Sequence, residues 1–359
     1  MISSVSARRW EEPLLHGGEL AGGRRLFPDA PEPFIDLSTG INPNPYPVSR
    51  LPADVFARLP EADGLASLAA IAAQTYGAPS ASHVAAAPGT QILLPLVAAL
   101  VRPGRAAVLA PSYGEFARVA ALAGHSVAEA DGLAAIGDAQ LILVANPNNP
   151  DGRLFARNDL MALAGNLRAH GGLLVVDEAF MDVASSGASL SAEVSGGNIV
   201  VLRSFGKFFG LAGVRLGFAL AAPNIAARLA AMLGPWAVSG PALAIGAKAL
   251  ADAAWIEKTR IRLEGSAKKL DGILTSAGLD VLGGTNLFRL VRTDAAGELF
   301  EHLGRAGILV RRFPEQANWL RFGLPPNARA WRRSHHGEHA LCHVISHSHL
   351  AGNSRQMGA

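Results

Sequence analysis

A single lysine, Lys207, lies in a stretch of small and apolar residues at positions 204–217. Ser204 stands three positions before this lysine and Arg215 eight positions after it. An amine among apolar groups is poorly solvated, and burial lowers its pKa, which suits Schiff-base chemistry with a carbonyl compound. A hydroxyl and a fork-shaped guanidinium are donors that a phosphate group prefers. The alternative interpretation is a surface lysine in a glycine-rich turn.

Two further polar segments stand beside apolar runs. Asp177 directly follows Leu-Leu-Val-Val at positions 173–176, and open α/β sheets place ligand-binding groups at such strand ends. Gly89, Thr90 and Gln91 precede an apolar, helix-like stretch. A helix that begins there offers free backbone N–H groups and the positive end of its dipole to an anion. The alternatives are ordinary helix caps at Asp177 and at Thr90.

Two loops contain candidates for ligand contact. Tyr113 follows the strand-like residues 106–110 and can stack on a flat ring, although most tyrosines so placed only pack against neighbours. Asn149 lies in the sequence Asn-Pro-Asn-Asn-Pro-Asp-Gly at positions 146–152, which predicts a tight, rigid turn.

The N-terminal region adds a histidine and an asparagine. His16 and Gly17 begin the sequence His-Gly-Gly, a histidine on a flexible turn. Asn42 lies in a polar loop at positions 38–45, where prolines prevent a helix. The alternative for both segments is an arm that crosses the surface.

Composition excludes several classes of protein. With 359 residues the chain is long enough for a large core and two domains. A net charge of +3 gives no reason to expect binding to nucleic acid or to an anionic membrane. The single cysteine, Cys342, excludes an intrachain disulfide and fits a reducing cytoplasm. Neither a signal peptide nor a membrane-spanning run is predicted.

Strand-like, turn-forming and helix-like segments alternate along the chain. This order favours an α/β fold with a mostly parallel sheet covered by helices, followed by a long helical region at 241–277 and a second α/β unit at 280–325. The predicted divisions are an N-terminal arm at 1–45, a large domain at 46–245, a small domain at 246–325 and an atypical tail at 326–359.

The tail is rich in histidine. His335, His339, His343 and His347 recur every four residues, and positions 335–339 match H-x-x-E-H, a spacing that can place metal ligands on one helix face. No apolar periodicity accompanies it and nothing upstream indicates a zinc peptidase. We therefore predict no metal site and a disordered or non-native tail.

The order and spacing of the segments before the tail resemble the fold type I enzymes that use pyridoxal 5′-phosphate. The resemblance implies a large domain with helices on both faces of its sheet, a smaller C-terminal α/β domain, and a homodimer with the active site at the interface. It implies that Lys207 binds the cofactor covalently, that Asp177 pairs with the pyridine nitrogen, and that Tyr113 stacks on the ring. The further cofactor contacts that it implies are Gly89, Thr90, Gln91, Asn149, Ser204 and Arg215.

Within that class the chain is similar to the subgroup of L-threonine-O-3-phosphate decarboxylases of cobalamin biosynthesis. The similar segments are residues 16–18, 36–43, 177–180, 203–213 and 234–238. Phe180 stands where many members of the class have tyrosine. Arg321 is then expected to bind the substrate carboxylate, and the expected further substrate contacts are His16, Gly17, Asn42, Asn149 and Arg311.

Two alternatives remain open at this point. Histidinol-phosphate-type aminotransferases share the core motifs, and one rotation about a single bond of the substrate separates the two activities. The other alternative is an inactive protein that retains the fold.

Overall fold

The computed structural model describes residues 3–4, 16–184 and 187–333. The strands of this part of the chain are β1 (Ser3–Ser4), β2 (Ile35–Leu37), β3 (Val84–Ala87), β4 (Arg105–Leu109), β5 (Ser126–Ala130), β6 (Leu141–Ala145), β7 (Leu173–Asp177), β8 (Ile199–Ser204), β9 (Gly217–Leu220), β10 (Asp280–Thr285), β11 (Phe288–Arg292), β12 (Ile308–Arg312) and β13 (Trp319–Gly323). The α-helices are α1 (Leu20–Leu26), α2 (Asp54–Ala57), α3 (Ala62–Tyr76), α4 (Thr90–Ala98), α5 (Glu115–Leu122), α6 (Arg157–Arg168), α7 (Phe205–Phe208), α8 (Pro223–Leu233), α9 (Gly240–Ala251), α10 (Ala253–Ser276) and α11 (Ala296–Arg305).

The chain divides into two compact units. The described residues of the first unit are 3–4, 45–149, 153–184 and 187–260, and those of the second are 16–44, 150–152 and 261–333. The predicted small domain begins at 246, whereas the C-terminal part of the second unit begins at Ile261. The second unit also includes most of the predicted N-terminal arm. The predicted domain boundaries therefore stay a prediction.

An eight-stranded sheet forms the first unit, in the order β1-β5-β4-β6-β7-β8-β9-β3. The pairs from β5 to β8 are parallel, whereas β9 pairs antiparallel with both β8 and β3. Strands β6 and β7 are buried at every residue, as continuous apolar runs in a covered parallel sheet require. The prediction of a mostly parallel sheet is confirmed.

A five-stranded sheet forms the second unit, in the order β10-β11-β13-β12-β2. Its pairs are antiparallel except that β12 lies parallel to β2. Residues 328–333 are helical, and Ala330 is buried. Arg333 donates from Nε to the carbonyl of Ala306 and from Nη1 to that of Pro33. The first residues of the predicted tail thus pack in this unit, while the histidines of the tail lie outside the described residues.

The helical region predicted at 241–277 consists of two helices, α9 and α10, which are separated at Asp252. The side chain of Asp252 accepts a hydrogen bond from the backbone N–H of Trp255, 3.0 Å away, at the start of α10. Its other carboxylate oxygen accepts from the hydroxyl of Tyr46. An aspartate that satisfies a free N–H in this way begins a new helix.

Candidate active site

The register of the first sheet gathers the predicted cofactor residues at one edge. Asp177 ends β7 and Ser204 ends β8, the parallel strand beside it. Gly217 at the start of β9 pairs with Ser204 on one side and with Ala87 of β3 on the other. The loops that carry the remaining candidates of this unit follow β3, β4, β6 and β8.

A narrow cradle forms where Gly89 meets Arg215. Gly89 has φ of +89°, and an added Cβ would lie 2.5 Å from Nη2 of Arg215. A Cβ at Gly217 would lie 2.6 Å from the backbone nitrogen of Thr90. At Gly217 the backbone of Gly89 and Thr90 occupies the space of a side chain, so glycine is required there. At Gly89 the positive φ favours glycine, and a side chain would have to displace the guanidinium. The N-terminus of α4 and the guanidinium are thereby placed side by side, as anion binding requires.

Arg215 itself has an uncommon backbone conformation. Its φ of 55° lies in the left-handed region, which non-glycine residues seldom adopt. Its Nη1 donates to the carbonyl of Ala212, 3.0 Å away, and the side chain is otherwise exposed. Backbone strain of this kind is concentrated at ligand-binding sites.

Lys207 lies in the short helix α7, whose phenylalanines are buried. The rings of Phe205 and Phe209 are stacked with centroids 4.5 Å apart, and Phe209 stacks in turn on Trp255 at 5.6 Å. This packing fixes the backbone on both sides of the lysine, since large buried aromatic rings dominate local packing. The Nζ atom lies 5.8 Å from the centroid of the Phe180 ring.

Asp177 is a buried carboxylic acid. Burial raises its pKa from 3.8 to about 6, although the N–H of Ala179, 3.0 Å from Oδ1, and the charge of Lys207 oppose the shift. The neighbouring Glu178 adds to the increase in pKa. A buried carboxylate in this state is stabilised by a cation that binds beside it.

A chain of hydrogen bonds orients Tyr113. Its hydroxyl donates to Oε1 of Gln91 over 3.0 Å, and Nε2 of Gln91 donates to Oε2 of Glu115 over 2.9 Å. Arg118 pairs with the same carboxylate at 3.2 Å. Because a carboxylate only accepts, Glu115 fixes the amide of Gln91 with its oxygen toward Tyr113. Glu115 is buried and was not predicted as part of the site.

Asn149 lies in the predicted turn at 146–152, which follows β6. In this turn Asn146 and Asn148 are buried, and the backbone N–H of Asn146 donates to the carbonyl of Asp177, 2.9 Å away. The side chain of Asn148 bridges Ser112 and the carbonyl of Pro111. Within the predicted turn at 146–152, residues 149–151 form the turn itself, and Asn149 is half-buried at its start.

The second unit contains the predicted substrate residues other than Asn149, and Ser38 contacts two of them. The hydroxyl of Ser38 accepts from the N–H of Gly18 at 2.8 Å and donates to Oδ1 of Asp36 at 2.6 Å. The carbonyl of Ser38 accepts from Nη2 of Arg321 at 2.7 Å. Gly17 packs against the same carbonyl. Ser38 therefore links the His-Gly-Gly segment to Arg321.

Arg321 and Arg311 lie directly opposite each other on β13 and β12. Arg321 is buried over the ring of Phe288, whereas Arg311 is half-buried. Burial and the charge of Arg311 lower the pKa of Arg321 to about 9, so the guanidinium still carries its charge at neutral pH. Two cations held this close favour an anionic ligand.

His16 and Asn42 complete the predicted substrate residues of this unit. His16 is exposed, whereas Asn42 is buried and accepts a hydrogen bond from the N–H of Asn44, 2.9 Å away. Asn42 thus supports its own loop, at least through one oxygen.

Residues 3–4, 16–184 and 187–333 contain no group of three or more His, Cys, Asp or Glu that could hold a metal ion. Within the same ranges, no helix has the length and apolar character needed to cross a bilayer.

The sequence interpretation missed a buried ionic cluster beside Asp177. Nη1 of Arg203 donates to Oε2 of Glu178 at 3.0 Å, and Nη2 donates to Oδ1 of Asp182 at 2.8 Å. A signal was present, because Arg203 ends the apolar run Ile-Val-Val-Leu and a charge in a buried strand needs a partner.

The fold and the lysine, aspartate and arginine of the first unit define a class. The chain belongs to the aminotransferase class I and II family, which matches residues 35–329. It is similar to a threonine-phosphate decarboxylase from Sinorhizobium sp, with 44% identity over 89% of this chain and 96% of that protein. It is 39% identical to a threonine-phosphate decarboxylase from Pseudomonas aeruginosa over the same shares of the two chains. Relatives named histidinol-phosphate aminotransferase are 30–32% identical over 64–81% of this chain.

A solved structure confirms the predicted fold type I architecture. The histidinol-phosphate aminotransferase from Sinorhizobium meliloti, in complex with pyridoxal-5′-phosphate, has a TM-score of 0.75 at 23% identity, covering 94% of this chain and 97% of that one.

The residues of the first unit fit pyridoxal 5′-phosphate, the cofactor of this family. The cradle of Gly89, Thr90 and Arg215 offers amide and guanidinium donors for a phosphate. Lys207 offers an amine to the aldehyde, and Asp177 a buried carboxyl to the pyridine nitrogen. These residues thus match the phosphate, the aldehyde and the pyridine nitrogen of the cofactor.

Proposed function

We propose that this protein is a pyridoxal-phosphate-dependent decarboxylase that converts L-threonine O-3-phosphate to (R)-1-aminopropan-2-yl phosphate and CO2. The observation that carries the proposal is the similarity to the two threonine-phosphate decarboxylases over 89% of the chain. The histidinol-phosphate aminotransferases match a smaller share at lower identity.

The first unit would hold the cofactor. In this proposal Arg215, Ser204 and the N-terminus of α4 bind its phosphate, and Tyr113 packs on its ring. Lys207 would hold the aldehyde, and Asp177 would stabilise the charge of the pyridine nitrogen. The contacts of smaller effect that we propose are Gly89, Gln91 and Asn149.

Pyridoxal phosphate, when bound, supplies an electron sink for the electron pair left at Cα. The bond from Cα to the carboxylate carbon breaks, CO2 leaves, and Cα takes up one proton. Nζ of Lys207 is the proposed carrier of that proton.

The second unit would recognise the anionic groups of the substrate. We propose that Arg321 binds the α-carboxylate, because its buried guanidinium is fixed by the carbonyl of Ser38. Arg311, on the neighbouring strand, is proposed for the substrate phosphate. The remaining proposed contacts are His16, Gly17 and Asn42.

The choice of bond separates decarboxylation from transamination. The bond that breaks is the one perpendicular to the pyridine plane, so a decarboxylase must hold the carboxylate there and an aminotransferase must hold the Cα–H bond there. A guanidinium that fixes the carboxylate sets this rotation. Histidinol-phosphate-type transamination and an inactive protein of the same fold are the competing functions.

Three wider expectations belong to this proposal. They are a role in cobalamin biosynthesis, a homodimer with its active sites at the interface, and a cytoplasmic location. The first follows from the proposed substrate, and the other two follow from the family resemblance and from the single cysteine in the chain.

The test is one incubation of the cofactor-loaded protein with L-threonine O-3-phosphate and no keto acid, following CO2 and aminopropanol phosphate. We expect both products in equal amounts, and none from Lys207→Ala. Amino transfer from histidinol phosphate to 2-oxoglutarate, without CO2 release, would replace the proposal with the aminotransferase. A bound cofactor with neither reaction would indicate an inactive protein.

A further inference from the structure

The ionic cluster of Arg203, Glu178 and Asp182 is almost completely buried. The exposed fractions of the three side chains are 5%, 0% and 6%. Arg203 also lies over the ring of Tyr76, with its guanidinium carbon 4.3 Å from the ring centroid. Removing such charges from water costs several kcal/mol each, and apolar residues of similar volume often stabilise a fold as well or better. Stability alone is therefore a poor explanation for the cluster.

The cluster directly adjoins the proposed cofactor-binding groups. Glu178 follows Asp177, and Arg203 precedes Ser204 and lies four positions before Lys207. The backbone N–H of Glu178 donates to the carbonyl of Leu202 at 2.9 Å, beside the last paired residues of β7 and β8. The Arg203–Glu178 ion pair thus adds a side-chain link where these strands end.

The same cluster contacts Ser189 and Leu190, which follow Asp177 in the chain. Glu178 accepts from the N–H of Leu190 at 2.7 Å and from the hydroxyl of Ser189 at 2.6 Å. Asp182, the second partner of Arg203, lies two residues after Phe180 in a short 3-10 helix, Met181–Val183. One guanidinium therefore connects the strand that leads to Lys207 with both ends of the loop that begins at Asp177.

We propose that Arg203 is a positioning residue, which acts through Glu178 and Asp182 to hold the carboxylate of Asp177 and the amine of Lys207 in fixed relative positions. The proposal rests on the proposed function in one respect, since it takes Asp177 and Lys207 as cofactor-binding groups. It does not depend on which substrate the protein uses. Because the planar fork of arginine contacts two carboxylates at once, lysine cannot replace it.

Three variants test this proposal. Arg203→Lys keeps the charge and loses the fork. The triple variant Arg203→Met, Glu178→Gln, Asp182→Asn removes all three charges together and keeps an acceptor for Leu190. Ser189→Ala removes one hydrogen bond to Glu178 and leaves both ion pairs in place. Arg157→Lys, at the half-exposed pair with Glu193, is the matched control.

The readouts are urea unfolding, the dissociation constant of pyridoxal phosphate, and the pH midpoint of the absorbance of the cofactor bonded to Lys207. We expect about a tenfold weaker cofactor affinity and a displaced pH midpoint in Arg203→Lys and in the triple variant. In Ser189→Ala we expect affinity about threefold weaker, and in Arg157→Lys no change. For the substrate reaction, kcat should fall more than KM rises.

A triple variant that unfolds at the wild-type urea concentration but binds cofactor weakly would separate positioning from stability. Wild-type affinity and pH midpoint in every variant that folds would overturn the proposal, and Ser189→Ala decides if the other two do not fold. Failure of the wild type to decarboxylate threonine phosphate would overturn the proposed function instead, since these cofactor readouts need no substrate.

Discussion

An added Cβ at Gly89 would lie 2.5 Å from Nη2 of Arg215, so no other residue fits there while the guanidinium keeps its position. We predict that Gly89→Ala displaces Arg215 and weakens pyridoxal phosphate binding at least about tenfold, the loss of one good charge-assisted hydrogen bond. Absorbance titration of the cofactor-free protein measures this.

Gly77→Ala provides the matched control. Gly77 has φ of +76° at the end of α3, and an added Cβ would meet nothing within 4 Å. Backbone strain should lower the free energy of unfolding by about 1 kcal/mol in both variants. The Gly77→Ala variant should keep the wild-type affinity for the cofactor. Equal affinities in the two variants would contradict a steric role for Gly89.

The buried carboxyl of Asp177 predicts a pH-dependent stability of the cofactor-free protein. Its pKa is raised to about 6, so the fold favours the protonated form. That stabilisation is complete below pH ~4 and is lost as the pH rises through 6, amounting to about 3 kcal/mol. Asp177→Asn does not titrate, so the variant should gain about 3 kcal/mol relative to wild type between pH 4 and pH 7. Urea unfolding at both values measures it, and a difference independent of pH would refute the prediction.

We predict that substitution of the buried Glu115 changes the orientation of Tyr113. In Glu115→Gln the amide at 115 can donate as well as accept, so Gln91 is free to turn its amide nitrogen toward the tyrosine. We expect cofactor affinity to fall about fivefold, a loss of about 1 kcal/mol, with a changed visible circular dichroism of the bound cofactor. Arg118→Gln keeps the accepting carboxylate and should change affinity less than about twofold. Equal losses in the two variants would show that the ion pair matters more than the orientation of Gln91.

We predict that substitution of Arg321, which faces Arg311 across β12 and β13, weakens substrate binding. Arg321→Lys should raise KM for L-threonine O-3-phosphate about 30-fold, because charge-assisted hydrogen bonds of a guanidinium fork contribute about 2 kcal/mol. Arg312→Lys is the control, since Arg312 is exposed and lies over the ring of Phe300, 4.1 Å from its centroid. Steady-state kinetics distinguish them, and similar KM values would exclude Arg321 from substrate binding.

Local sequence predicts the strands that carry the first site, because these strands are buried on both faces. The apolar runs at 141–144, 173–176 and 198–203 correspond to β6, β7 and β8, within one residue at most of their ends. By contrast, β5 and β10 are not marked by their residues. β5 contains Ser-Val-Ala-Glu-Ala and β10 contains two glycines, so pairing with β4 and β11 defines them.

Residue type and spacing also identify the reactive groups, but not the side chains that orient them. Lys207 and Asp177 are visible as single functional residues beside apolar runs. Glu115 and Glu178 act through partners 24 and 25 positions away, so their roles depend on distances that only the folded chain defines. The residue pattern at 241–277 is helical throughout, so it does not show that α9 ends and α10 begins at Asp252.

The cluster of Arg203, Glu178 and Asp182 also restricts how this sequence can change over evolutionary time. Loss of Arg203 leaves two buried carboxylates without their counter-ion, at a cost of about 3–5 kcal/mol, which is a large part of the stability of a typical protein. Substitutions of Arg203 alone are therefore expected to be eliminated by selection. Lineages descended from a common ancestor should keep the three residues together or exchange them together.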